Sequence, residues 1–143
     1  MIPACRWLYL SAGMIAVQLV IGSAHAAISP SKIKEMKDDS SDVLEVTITR
    51  ATVTGRQVNL GYWRKEVAYE ATVAGVVRSA SGTKQDETIT IHSYHQGGLL
   101  PPGPKNPPLL EEGWQGTIYL NKIEGENQFR IGVHGHSFEA AEE

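Results

Sequence analysis

The side chains best equipped for chemistry are two pairs of histidines, His92-x-x-His95 and His134-x-His136. Three or four neutral imidazoles make a site for Zn²⁺ or Cu²⁺. On a regular strand, however, residues three apart point to opposite faces, so His92 and His95 converge only where the strand ends or bulges between them. His134 and His136 share a face, on a stretch that Gly132 and Gly135 keep pliable. The simpler reading is two pairs of surface or strand-end histidines with no cofactor. A small periplasmic divalent-metal binder using His92, His95, His134 and His136 is the alternative. Met36 is the only methionine beyond the N-terminal stretch, which gives little support to methionine-based copper handling.

Aromatic rings are the second resource. Tyr62-Trp63 directly precedes Arg64-Lys65-Glu66, and Trp114 follows the turn at Glu111-Glu112-Gly113. Exposed rings with polar neighbours stack on sugars or grip a peptide, although a small domain also needs its tryptophans for packing. Between them runs Leu99-Leu100-Pro101-Pro102-Gly103-Pro104-Lys105-Asn106-Pro107-Pro108. Its prolines fix φ and favour an extended path at low entropic cost, which suits either a preformed recognition surface or a stiffened crossover. The candidate partner-binding set is therefore Tyr62, Trp63, Pro101, Pro102, Gly103, Pro104 and Trp114.

The parts of familiar enzymes are missing. There is no Gly-x-Ser-x-Gly elbow, no phosphate-cradling glycine loop and no His-Glu-x-x-His. Ser93 lies between His92 and Tyr94, whereas a nucleophile and its base usually come from different elements. The acidic pairs Asp38-Asp39, Asp86-Glu87 and Glu111-Glu112 fall in turns or tethers, where carboxylates are ordinarily solvated. The chain is expected to be non-catalytic.

These side chains sit on a sequence that opens like an export signal. Arg6 precedes a nearly apolar run from Trp7 to Ile21, and Ser23-Ala24-His25-Ala26 offers small residues for a peptidase. Residues 1–26 are read as a signal peptide, which places the remainder in the periplasm or outside the cell. The run is too weakly apolar for a stable membrane span. Cleavage would remove Cys5, the single cysteine, so disulfides, thiolate catalysis and cysteine-ligated metals are excluded from the exported part. The whole chain of 143 residues has 13 basic and 16 acidic side chains, a net charge of −3. Loss of Arg6 makes the balance more acidic still. Nucleic acid is consequently not an expected partner, and neither is an anionic lipid surface. The expected partner is another exported protein or an envelope component.

The elements that must position the candidates have period two. Residues 27–42 are polar and read as an N-terminal tether, and 139–143 as a frayed tail. From 43 to 138 the chain reads as one domain. Leu44, Val46 and Ile48 alternate with Glu45, Thr47 and Thr49, then the apolar phase slips to Ala51 and Val53, which predicts a bulge near Thr49-Arg50. Gly55-Arg56 reads as a turn, Val58 to Tyr62 as a second strand broken by Arg64-Lys65-Glu66, and Val67 to Val77 as a third. Thr88–Tyr94, Thr117–Leu120 and Phe129–Val133 complete the set. Five or six strands in so short a span predict an all-β fold, a small closed barrel rather than a two-sheet sandwich.

Three pieces of this pattern carry a resemblance. They are Tyr69 to Gly82, Glu87 to Tyr94, and Leu109-Leu110-Glu111-Glu112-Gly113-Trp114 running into Ile118-Tyr119-Leu120. A strand, a polar loop, a strand, and later a leucine-glycine turn into an aromatic strand resembles the netrin-like OB-fold module of the tissue inhibitors of metalloproteinases. With Pro101-Pro102-Gly103-Pro104 ahead of that turn, the chain is similar to small uncharacterised exported bacterial proteins. The resemblance implies a five- to six-stranded OB-like (netrin-like) barrel over roughly residues 43 to 138. Metalloproteinase inhibition does not carry over, because the cysteine with which those inhibitors chelate the protease metal is missing here.

Overall fold

Two long strands, with apolar residues alternating over part of each, set up the architecture. The structure, a computed structural model, describes residues 27–100 and 103–143; the segment Met1 to Ala26, expected from the sequence to be a signal peptide, and residues Pro101 and Pro102 lie outside the described residues. Strand β1 (Asp42–Asn59) and strand β2 (Tyr62–Ser79) are each 18 residues long and pair antiparallel along their length. The register shifts between Val43 and Leu44 and between Glu45 and Val46, then between Ile48 and Arg50, where the apolar phase of the sequence slips, and again between Val53 and Gly55.

The irregularity between Val53 and Gly55 stands in place of the turn expected at Gly55-Arg56. The chain reverses instead at Leu60 and Gly61, whose φ values of 41° and 82° supply the successive left-handed residues of a tight hairpin. Arg64, Lys65 and Glu66 do not break β2 either. Side chains on a strand alternate between faces, so a charged triplet places its members on different sides without ending the ladder. Two long strands thus stand where the sequence suggested three.

Strand β3 (Thr88–Gly98) pairs antiparallel with β2 from Thr72↔Thr88 to Tyr62↔Gly98. It is followed by the proline segment, strand β4 (Gln115–Lys122), strand β5 (Gln128–Ile131), a 3₁₀ turn (His134–Ser137) and strand β6 (Phe138–Ala140). The six strands form one sheet in the order β1-β2-β3-β5-β4-β6, with β3 and β5 parallel. Residues 42–47 of β1 also pair with Leu120 to Gln115 of β4, so the sheet curls into a partial ring.

Inside the ring lies the core: Leu44, Val46 and Ile48 of β1, Val67, Tyr69, Ala71 and Val73 of β2, Ile89 and Ile91 of β3, Ile118 and Leu120 of β4, and Phe129 of β5. Burying a side chain of this size contributes about 1.5–3 kcal/mol relative to exposure. The polar lead and tail are more ordered than their composition implied. Ser29 caps helix α1 (Pro30–Asp39), Pro30 fits its first turn, and Lys32–Glu35 and Lys34–Asp38 pair along it. The helix buries no residue, but Arg78 Nη2 donates to the carbonyls of Lys37 and Ser40 and ties its end to β2. Glu139 and Ala140, read as a frayed tail, pair with β4. Among the described residues no helix is long and apolar enough to cross a membrane.

Candidate functional site

The regular register between β2 and β3 assigns each candidate to a face. Val67, Tyr69 and Ala71 point into the core, so Trp63 and Lys65 extend the same inner face, with His95 and Gly97 opposite them on β3. Tyr62, Arg64 and Glu66, with His92, Tyr94 and Gln96, stand on the outer face. Tyr62 and Trp63, adjacent in sequence, therefore serve different surfaces. The Tyr62 hydroxyl meets Gln96 Oε1 at 2.5 Å on the outside.

Trp63 lies across Gly97, and a Cβ there would overlap its indole. The ring also packs against the imidazole of His95, with centroids 5.7 Å apart, and Lys65 Nζ stands 5.3 Å from the ring centre. A glycine opposite a large aromatic keeps the ladder while giving the ring a flat seat. This inner extension lies beyond the ring of strands.

The described residues of the segment between β3 and Trp114 form a strap over that inner face. Leu99 N–H donates to Gly61 O at 2.9 Å, and Asn106 takes the place of a strand partner, accepting from Gln96 N–H and donating to Gln96 O. His95 Nδ1 donates to Pro107 O at 2.6 Å. Deeper in, the buried Tyr69 hydroxyl accepts the Leu110 N–H at 3.0 Å, and Leu110 closes the core. Gly113 N–H and Trp114 O then pair with Ile48. From Asn106 onward the strap is cover for the core. Leu99 and Leu100, and the described members Gly103 and Pro104 of the predicted set, are exposed.

Trp114 ends up far from Trp63. Its backbone pairs with Ile48, which faces Ala71 across the β1–β2 ladder, and the eight residues from Ala71 to Trp63 span about 26 Å. Trp114 stacks edge-to-face on Phe138 at 6.2 Å and lines a pocket of about 500 Å³ with Leu109, Glu111 and Glu112. The predicted aromatic set is thus divided between two regions joined by the strap.

The histidines are similarly divided. β3 runs without interruption from Thr88 to Gly98, so His92 faces outward and His95 inward. His134 leaves the sheet with φ 47° and joins the outer face through a 2.7 Å hydrogen bond between Nδ1 and the Tyr94 hydroxyl. His136 keeps a lowered pKa, first through burial and then through the charges of Lys105, Lys37 and His134. Among the described residues, no group of three or more His, Cys, Asp or Glu side chains gathers where a metal ion could sit.

What the sequence reading did not single out is the free edge of the long hairpin. From Thr49 to Asn59, β1 pairs with β2 alone among the described residues. Val53, Val58 and Leu60 along this edge are 54%, 68% and 94% exposed, and Leu99 beside its tip 78%. Arg56 stands directly opposite Lys65, and neither has a carboxylate partner among the described residues. Like charges at directly opposed positions destabilise a strand pair. The phase slip and the Val58-Asn59-Leu60 sequence carried this signal, but the misplaced turn hid it. Comparison of the chain with family models, curated proteins and solved structures finds no match.

Proposed function

We propose that the chain is an exported, non-catalytic binding module, periplasmic or secreted, built on an OB-like, netrin-like barrel. Its outer β1–β2 hairpin takes an extended, acidic segment of another exported protein. The barrel reading is supported by the five-strand cycle β1-β2-β3-β5-β4-β1 with its parallel β3–β5 pair. The observation that carries the function is the edge of β1 between Thr49 and Asn59, which has no further strand partner among the described residues, with its apolar tip and its opposed Arg56–Lys65 pair, which has no carboxylate partner among them either. A strand edge offers main-chain hydrogen bonds to an incoming extended peptide, while alternate side chains select its sequence. Bulges divide the edge into Arg50–Val53 and Gly55–Asn59, so the partner pairs over one short run and draws the rest of its affinity from side chains. Carboxylates on the partner relieve the opposed cations, and its apolar residues cover Val58, Leu60 and Leu99.

The test is photo-crosslinking in the native host with the reactive residue placed at Thr52, Gln57 or, as a control, Lys84 in the loop before β3. The same adduct at Thr52 and Gln57, absent at Lys84 and lost on Arg56→Glu, is expected. Equal labelling at all three positions, or an adduct indifferent to Arg56→Glu, would overturn the assignment.

A further inference from the structure

The outer face of β2 and β3, behind Trp63, carries a second site unrelated to the hairpin edge. A cleft of about 390 Å³ there is lined by Arg64, Glu66, His92, Tyr94, Arg130 and His134. The residues come from β2, β3, β5 and the 3₁₀ turn, so their side chains approach from several directions. Arg64 is held in place: Glu66 Oε1 accepts from its Nε at 2.6 Å, and its guanidinium lies 4.0 Å from the centre of the Tyr94 ring. The clamp engages only the Nε side, and among the described residues the terminal Nη groups make no hydrogen bond. Arg130, opposite on β5, is exposed and has no carboxylate partner among the described residues.

Two guanidinium groups against one carboxylate leave the cleft positive on a chain of net charge −3. The field is felt by its neighbour. His134 has a lowered pKa, chiefly through burial and then through the charge of Arg64. Tyr94 has a raised one, chiefly through burial, and so keeps its proton at neutral pH. In the tautomer in which the phenol donates to His134 Nδ1, the ring proton of His134 sits on Nε2, where it can meet a ligand. Asn121, whose Oδ1 accepts the Ser41 N–H, also lines the cleft and has its amide NH₂ to offer.

We propose that this cleft binds a tetrahedral oxyanion, a phosphate or sulfate group, between Arg64 and Arg130, with His134 Nε2–H and the Asn121 amide as further donors. Donors converging from four directions fit three terminal oxygens better than the two coplanar oxygens of a carboxylate, and guanidinium groups match such oxygens in pairs. Glu66 acts as the positioning residue for Arg64 and leaves the net charge of the site positive.

Inorganic phosphate is titrated into the purified protein at constant ionic strength while the imidazole resonances of His134 and His92 are followed by NMR. A saturable shift of His134, a higher apparent His134 pKa with phosphate present, and at least tenfold weaker binding in Arg130→Gln are expected. Arg130 is exposed and has no carboxylate partner among the described residues, so that variant is expected to retain the fold, which circular dichroism checks; Arg64→Lys, which keeps the charge and removes the fork, also weakens binding. Sulfate competes, whereas acetate and chloride do not. Glycerol phosphate distinguishes a phosphoryl group on a larger molecule, which it reproduces, from a free anion, which leaves it unbound. A non-saturating shift, equal binding of acetate, or unaltered affinity in Arg130→Gln overturns the proposal.

Discussion

Replacing Tyr69 by Phe removes one oxygen from the middle of the core and leaves everything else in place. Tyr69 is fully buried, and its hydroxyl is the acceptor for the Leu110 N–H at 3.0 Å; a longer contact of 3.5 Å reaches Pro108 O. The phenyl ring keeps its apolar burial, so the change isolates the bond that fastens the strap. Its loss strands a buried backbone donor, at a cost of about 1–3 kcal/mol. For a domain of this size each kcal/mol corresponds to roughly 4 °C, so Tm falls by about 4–12 °C. Urea unfolding followed by tryptophan fluorescence should show a lower midpoint with an unchanged slope. Amide exchange supplies the local readout, with Leu110 losing protection before Ile91 or Val73 does. A loss below about 0.5 kcal/mol together with unaltered exchange at Leu110 would refute the reasoning, since the strap would then be held by its other contacts. The same hydroxyl has a pH consequence. Burial raises its pKa, so the folded state holds the proton longer than the unfolded chain, and stability declines as pH rises past about 10. Tyr69→Phe should flatten that alkaline decline.

Other expectations follow from the same geometry. Asp42 is fully buried at the start of β1; burial alone pushes its pKa up, but hydrogen bonds from Ser41, Ser79 and Ser81 together outweigh it and hold the carboxyl below its usual range. Asp42→Asn should cost about 1.5–3 kcal/mol at neutral pH. In the parent protein this stability is present above about pH 4 and drains away below it, as the unfolded chain takes up the proton first; a Tm series from pH 7 to 2 reads the difference, and equal slopes in parent and variant would contradict it. Gly97→Ala displaces the indole of Trp63 and should cost about 1–3 kcal/mol, with a shift of its fluorescence; an unshifted spectrum would mean the ring does not rest on Gly97. Lys65→Glu turns a like-charge opposition into an attractive one with Arg56 and should stabilise the isolated protein by about 0.2–1 kcal/mol, while weakening partner capture; destabilisation would contradict the pairing.

The ladder pattern of this protein is legible in its sequence where one face is buried. The slip from Ile48 to Ala51 marks the bulge between Ile48 and Arg50, and Val67-x-Tyr69-x-Ala71-x-Val73 gives the inner face of β2 directly. Legibility fails where glycine has more than one use. Gly55 suggested a reversal but sits beside a bulge, whereas the reversal falls at Leu60-Gly61, where a leucine accepts φ 41°. Helix α1 was hidden because no residue of it is buried, and a helix held by its caps, local ion pairs and one arginine leaves no apolar stripe to read. The candidate surfaces are less legible still. The free β1 edge depends on where β4 stops pairing, and the cleft proposed for an oxyanion joins Arg64, Tyr94, Arg130 and His134, whose meeting is decided by a parallel β3–β5 pair that no local motif announces. The faces of β2 and β3 do announce that Tyr62 and Trp63 part company, once the strand is known to run through the charged triplet.

The central claim is that the outer half of β1 is the binding edge. Amide hydrogen exchange, compared between the protein alone and the protein bound to the partner crosslinked at Gln57, tests it most directly. New protection confined to Arg50–Leu60 and the adjoining tip at Leu99 is the expected result. Unchanged exchange along β1, with protection arising instead around Leu109 to Trp114 or elsewhere, would contradict it.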